Sequence, residues 1–264
     1  MSDRARPAIA VVGSVNLDLV ASADRLPAPG ETVTGAILTR HPGGKGGNQA
    51  LAARRLGAEV VLFAATGNDP EAEQALALLV REGVDISACE RHPEAATGLA
   101  LIAVAGDGEN QIIVAPGANA RFSPHALDLD RFDAVICQLE IPTETIARAA
   151  AACRGLFVLN LAPARPVPAA VLERAGLVVV NEGEARALAG LLAGYRGLLA
   201  VTFGARGAEL RRDGEVVARA RPPAVEAVDS TGAGDAFTAA LTLGLAEGRP
   251  QPEALAFACA AGAL

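Results

Sequence analysis

Residues 133–142 read "DAVICQLEIP". The run from Ala134 to Cys137 is apolar without alternation, and it turns polar at Gln138 and Glu140. A short continuous apolar run of this kind reads as a strand covered on both faces. The same shape returns along the chain. "AIAVVGSVNLDLV" (8–20), "GLFVLNLAPA" (155–164), "AGLVVVNEGEA" (175–185) and "GLLAVTFGARG" (197–207) each place a buried strand before a polar or glycine-bearing turn. Helical patterns alternate with them. "GGNQALAARRLGAEVVLFAATG" (46–67) reads as helix, turn and buried strand, with Gly57 at the helix C-cap. "EAEQALALLVREGV" (71–84) is an amphipathic helix ending at Gly83. Buried strands with crossover helices specify an α/β fold in three layers, a mostly parallel central sheet with helices on both faces. In such sheets ligands bind beyond the carboxyl ends of the strands.

Two stretches break that rhythm. "DRLPAPGETVTGAILTR" (24–40) has no helical period. "TGLALIAVAGDGENQIIVAPGAN" (97–119) is two strand-like runs joined by a glycine-bearing hairpin turn. Together, at about 14–40 and 96–115, they are expected to form a small β-sheet lid beside the main sheet, within a single domain spanning 1–264.

The bulk composition narrows the function. The chain has 264 residues, 51% of them hydrophobic, enough for a sizeable core. Its net charge is −7 and its pI ≈ 5.1, which argues against nucleic-acid or anionic-membrane partners. The four cysteines, Cys89, Cys137, Cys153 and Cys259, have neither C-x-x-C nor zinc-ligand spacing. They read as reduced thiols, mostly buried, in a cytoplasmic protein. The N-terminal stretch passes straight into a strand, with no signal peptide read before it, and no run reaches the length of a membrane span.

Six stretches could carry chemistry. In "HPGGKGGNQA" (41–50), four glycines surround Lys45, letting the backbone approach a ligand, and the following helix would offer free N–H groups. A Walker A loop is excluded, because position 39 is Thr and Lys45 is followed by Gly46. Asn16 and Asp18 share one face of an extended segment and suit neighbouring sugar hydroxyls, or are an ordinary strand-end turn. Glu140 could accept from a hydroxyl or cap the next helix. Asn181 and Glu184 suit hydrated Mg²⁺, or are an N-cap pair. Thr202 to Gly207 form a turn for nucleotide phosphate or ribose, or a plain connection. In "DSTGAGDAFTAAL" (229–241), Gly232 and Gly234 relieve a turn into a helix starting near Asp235. The N–H groups there make a hole for a migrating phosphoryl group. Asp235 can take a hydroxyl proton, all the acid chemistry that phosphoryl transfer requires.

Taken in order, these stretches resemble the ribokinase-like carbohydrate kinases, also called the PfkB family. "GGKGGNQA" and "DSTGAGDAF" correspond to its two signatures, and the resemblance covers nearly the whole chain. It implies ATP-dependent phosphorylation of D-ribose at its 5-hydroxyl, with another furanose, a nucleoside, or a non-catalytic binding homologue as alternatives. The polar set and the scarcity of aromatics favour ribose. By that likeness Asp235 is the base, and Gly232, Ala233 and Gly234 form the anion hole. Asn16, Asp18, Gly44, Lys45, Gly46, Gly47, Asn48 and Glu140, with Asp235, would hold the sugar. Asn181, Glu184, Thr202, Phe203, Gly204, Ala205, Arg206, Gly207 and Gly234 would serve ATP, Asn181 and Glu184 acting indirectly on Mg²⁺. Asp229 and Thr231 match positions for an activating K⁺. The lid would form a homodimer contact.

Two departures from the family pattern carry expectations. Only one short helix is expected between Asn181 and Thr202, where the family often has more. "LAFACAAGAL" (255–264) reads as an apolar helix without a cap, where the family continues with a segment supplying cation ligands and part of the adenine pocket. A molecule lacking that segment is expected to bind ATP and K⁺ weakly.

Overall fold

The computed structural model describes residues 6–225 and 231–263. The N-terminal half runs β1 (Ala8–Val12), β2 (Asn16–Ser22), β3 (Ile37–Gly43), α1 (Lys45–Arg55), β4 (Glu59–Gly67), α2 (Pro70–Arg81), β5 (Cys89–His92), β6 (Gly98–Val104) and β7 (Asn110–Ala115). It continues with β8 (Ala134–Gln138), α3 (Thr143–Ala152), β9 (Leu156–Asn160), α4 (Ala169–Arg174), β10 (Leu177–Asn181), α5 (Glu182–Ala187), α6 (Ala189–Leu192) and β11 (Leu198–Thr202). The last elements are β12 (Ala208–Arg212), β13 (Glu215–Ala220), α7 (Ala233–Ala246) and α8 (Gln251–Ala261).

Nine strands form one sheet in the order β13-β12-β11-β10-β9-β8-β1-β4-β5. It is parallel from β11 to β5, with β12 and β13 added antiparallel at one edge. The buried runs become central strands because both their faces are covered. Ile9 and Val11 of β1 pack with Ala50 of α1, Phe237 and Leu241 of α7 and Leu255 of α8. Ala10 and Val12 face the opposite layer, with Ile146 of α3 and Val171 of α4. Fully burying one such aliphatic side chain is worth about 2 kcal/mol. The chain passes from β1 to β4 on one side and from β8 to β11 on the other. The order therefore reverses between β1 and β8, where a ligand crevice belongs.

The second sheet has the order β3-β2-β6-β7. It contains the two stretches that had no helical rhythm. Its outer strands are apolar yet open: Ile37 is 69% and Ile113 68% exposed.

Two local expectations are corrected, and one turn is added. The link from Asn181 to Thr202 holds two short helices, broken at Leu188, whose φ is −105° and ψ 17°. Helix α7 begins at Ala233, so Asp235 lies inside its first turn rather than at its start. The edge hairpin β12–β13 turns at Asp213-Gly214, with φ of 51° and 82°, a turn dipeptide that sequence reading passed over.

Candidate active site

Beyond β1 and β8, the turn 13–15 and the residues 138–140 meet the start of α1. Here the glycines of 43–46 have a definite use. A Cβ on Gly44 would stand 2.7 Å from the Asn16 nitrogen, and one on Gly46 2.6 Å from the Ser14 nitrogen. A Cβ on Gly43 would collide with the Asp18 carboxylate. The N–H groups expected to be free at this helix start are taken. Lys45 N donates to Glu140 Oε2 at 3.1 Å, Gly46 N to Ser14 Oγ at 3.3 Å and Gly47 N to the Ser14 carbonyl at 2.9 Å. Ser14 Oγ in turn donates to Glu140 Oε2 at 2.5 Å. Glu140 therefore caps α1, not the helix that follows it in sequence. The glycine run is a close-packing device, and it sets the backbone against Asn16 and Asp18.

Asn16 is buried, and its Oδ1 accepts from Asn119 Nδ2 at 2.8 Å. Asn119 also grips Val15 through both its N–H and its carbonyl. With Oδ1 occupied, the Asn16 amide is left to act as a donor. Asp18, two residues on, is an acceptor whose Oδ1 is buried with no partner among the described residues. Burial, with Glu140 adding to it and His41 opposing, pushes the Asp18 carboxyl up to about 6.

Asp235 projects from the first turn of α7 and is 7% exposed. Its Oδ2 accepts from Asn48 Nδ2 at 3.0 Å and its Oδ1 from Gln49 Nε2 at 2.8 Å. Burial raises its carboxyl above the ordinary range, against Lys45 and these two donors, which favour the charged form. Gly232 is the N-cap residue, with φ of 76° and no side chain of its own to cap the end. Around Gly234 a Cβ would meet nothing within 4 Å. A glycine-led helix start beside a carboxylate, with room at Gly234 among the described residues, can receive an anion.

Asn181 and Glu184 form a reciprocal capping box. Glu184 N donates to Asn181 Oδ1 at 2.8 Å, and Asn181 N to Glu184 Oε2 at 2.7 Å. Burial raises the Glu184 carboxyl; Lys45 lowers it and Asp235 raises it further, which couples it to the same electrostatic centre. Thr202 ends β11, next to Asn181 in register. Phe203 and Arg206 border a cavity of about 410 Å³ shared with Ala208, Glu209, Arg219, Ala220 and Arg221. Gly204 and Gly207 adopt φ of 59° and 97°, which only glycine enters readily. Arg206 does not reach freely for a ligand: it pairs with Glu182 at 2.5 Å and lies 5.4 Å over the Phe203 ring. Thr231 begins the turn into α7. Asp229 lies outside the described residues. Among the described residues, no three His, Cys, Asp or Glu side chains gather as a metal cage, and the four cysteines are free.

Asp235 is thus joined in space to Asn48 and Gln49 of the first glycine motif. The model of the pfkB family carbohydrate kinases matches residues 6–264. The chain belongs to the pfkB carbohydrate kinase family. This family member is 38% identical over 270 residues to the ribokinase of Bacillus subtilis, covering 97% of this chain and 92% of that one. It is 34% identical to a deoxyribokinase of Salmonella typhi, over 87% of this chain and 82% of the other. The structure of Arabidopsis thaliana ribokinase complexed with ribose and ATP superposes with a TM-score of 0.87 at 28% identity, over 98% of this chain and 92% of that one. The match to that structure agrees with the three-layer fold and its smaller sheet.

Sequence reading missed the residues that join these parts. Ser14, Gln49, Asn119, Gln138 and Asn160 are all buried polar side chains. Gln138 and Asn160 were visible as the polar ends of buried strands, but nothing local distinguished them from ordinary strand ends.

Proposed function

We propose that this kinase transfers the γ-phosphoryl group of ATP to the 5-hydroxyl of D-ribose, giving ribose 5-phosphate. The observation that carries the reading is the buried Asp235 in the first turn of α7, beside a helix start led by Gly232 and opened at Gly234. The ribokinases among its relatives support the choice of sugar.

The sugar would lie against Asn16, Asp18, Asn48 and Glu140. Asn16 donates and Asp18 accepts, so the pair suits two neighbouring hydroxyls. Glu140 Oε2 is committed to Ser14 and Lys45, which leaves its other oxygen for a third. Gly44 to Gly47 bring the backbone close to the ring. Asp235 takes the proton as the hydroxyl oxygen bonds to phosphorus and the bond to ADP breaks; the proton later leaves for solvent. Charge gathering on the transferring group meets the N–H groups of Gly232, Ala233 and Gly234 and the Lys45 ammonium. Phe203 to Gly207 would line the nucleotide in the cavity beside them, with Arg206 held in place by Glu182.

The donor set bears on the ions. Asn181 and Glu184 are engaged with each other, and no acidic cage surrounds them among the described residues, so they fit Mg²⁺ held through water and phosphate rather than by direct ligation. Mg²⁺ so bound supplies charge neutralisation on the phosphates. Thr231, with Asp229, would serve K⁺; this part of the reading rests on sequence. The smaller sheet would act as the lid within a single domain and as the homodimer contact, in a cytoplasmic enzyme. Its exposed apolar edge strands support that role.

A coupled ADP-release assay across ribose, deoxyribose, fructose and nucleosides, with and without K⁺, tests the reading. Ribose is expected to give the highest kcat/KM, with stimulation by K⁺. Preference for a nucleoside would overturn the sugar. In Asp235→Asn, turnover is expected to fall by about 10³-fold or more while ribose still binds in calorimetry; near-normal turnover would remove Asp235 as the base.

A further inference from the structure

We propose that Gln49 is a positioning residue for phosphoryl transfer, holding Asp235 through a buried relay of amides that starts at the Val179 carbonyl and at Gln138. The proposal rests on the reading of Asp235 as the base. Gln49 and Gln138 are fully buried, so neither touches substrate; Asn160 and Asp235 are 7% exposed.

The polarity of the relay is fixed by its ends. The Val179 carbonyl can only accept, so Asn160 turns Nδ2 toward it, at 3.1 Å. That leaves Asn160 Oδ1 as an acceptor, and Gln49 Nε2 donates to it at 3.1 Å. The other N–H of Gln49 Nε2 goes to Asp235 Oδ1 at 2.8 Å. Gln49 Oε1 consequently faces Gln138, whose Nε2 donates at 2.6 Å. Reading from the other end gives the same directions, since an ionised carboxylate also only accepts. The donations thus all run outward from Gln138 and branch at Gln49: one N–H passes through Asn160 to the Val179 carbonyl, and the other is delivered to the base. Gln138 Oε1 ends buried without a partner among the described residues. It lies where any Cβ on Gly13 would collide with it, so Gly13 makes room for Gln138.

This arrangement has a chemical use. Asp235 is pushed toward the protonated form by burial. A donor that cannot accept, held rigidly on Oδ1, favours the ionised carboxylate that a base must be. Oδ2, on the side of the sugar-facing Asn48, is left as the oxygen that takes the proton. Among the described residues, the charged groups bearing on Asp235 are Lys45 of α1, Glu140 after β8 and Glu184 of α5. Strand β9 brings none, and α8 only Glu253, exposed in its first turn.

Steady-state kinetics of Gln49→Leu against pH test the proposal. The acid limb of the kcat profile is expected to move up by about one pH unit, equivalent to about a tenfold loss of kcat below the limb. KM for ribose and ATP should stay within about twofold, because the side chain meets neither substrate. Gln138→Met, which does not touch Asp235, should move the limb in the same direction by less. A purely structural role would lower the thermal midpoint and leave the limb in place, so an unshifted limb in folded Gln49→Leu overturns the proposal. If Gln49→Leu does not fold, an unshifted limb in Gln138→Met does the same. Asp235→Asn is measured alongside. If it is inactive and the limbs do not move, the relay alone is wrong; if it turns over normally, the base itself is wrong.

Discussion

Asp18 carries its charge at a cost. Its ordinary carboxyl value of 3.8 is raised to about 6 by burial and by Glu140. A carboxyl raised by folding favours the folded state where it is protonated. That contribution is fully present below the ordinary value and is lost as pH rises through about 6. Above that, the charge costs about 1 kcal/mol once solvent screening of a part-exposed group is allowed for. Asp18→Asn keeps the shape and removes the charge. Its Tm at pH 7.5 is expected to rise by about 2–4 °C, with little gain at pH 5, while the KM for ribose rises about tenfold or more. Scanning calorimetry at both pH values and a sugar titration check this; a fall in Tm at pH 7.5 would refute it. The pairing of Asn16 with Asp18 was legible from their spacing alone. The donor role of Asn16 was not, because it depends on Asn119, 103 residues away.

Among the elements, α2 shows how one side chain serves two. Asp69 accepts from Ala72 N at 3.0 Å and so caps the helix. The same carboxylate accepts from Thr97 N at 2.7 Å and Thr97 Oγ1 at 2.5 Å, just before β6 of the smaller sheet. Asp69→Ala is expected to cost about 2–3 kcal/mol, a lost cap plus unmet buried donors. Urea unfolding measures it, and a loss below about 0.5 kcal/mol would show that the tie to Thr97 is weak. At this scale the sequence was most readable where period and environment agree. The central parallel strands were plain because burial on both faces demands unbroken apolar runs. The break at Leu188 was hidden because the one interior helix-weakening residue in "EARALAGLLAG", Gly190, lies two positions beyond it. The amide relay was hidden for another reason. Gln49 and Gln138 look like stray polar residues until a fold brings partners 89 and 186 positions apart into contact.

For the whole molecule, the smaller sheet is where the proposed dimer contact lies. Ile37, Leu38, Ile112, Ile113 and Val114 are exposed on its two outer strands. An open apolar sheet edge invites pairing with another chain. The protein is expected to sediment as a dimer, and Ile113→Lys as a monomer with a raised KM for ribose. A wild-type chain that stays monomeric at micromolar concentration would remove the dimer reading.

The contact between Asn48 and Asp235 spans 187 residues. Ribosomes deliver a chain from its N-terminus, so the sugar-facing side chains and the amide relay emerge well before the acid they serve. The strands β1 to β11 can begin to pair while α7 is still in the exit tunnel, but Gln49 then offers its N–H to no carboxylate. On the proposed reading, a polypeptide that stops short of α7 holds part of the sugar-facing set but no base. The reaction centre is then complete only once α7 docks against α1 and brings Asp235 to Asn48 and Gln49.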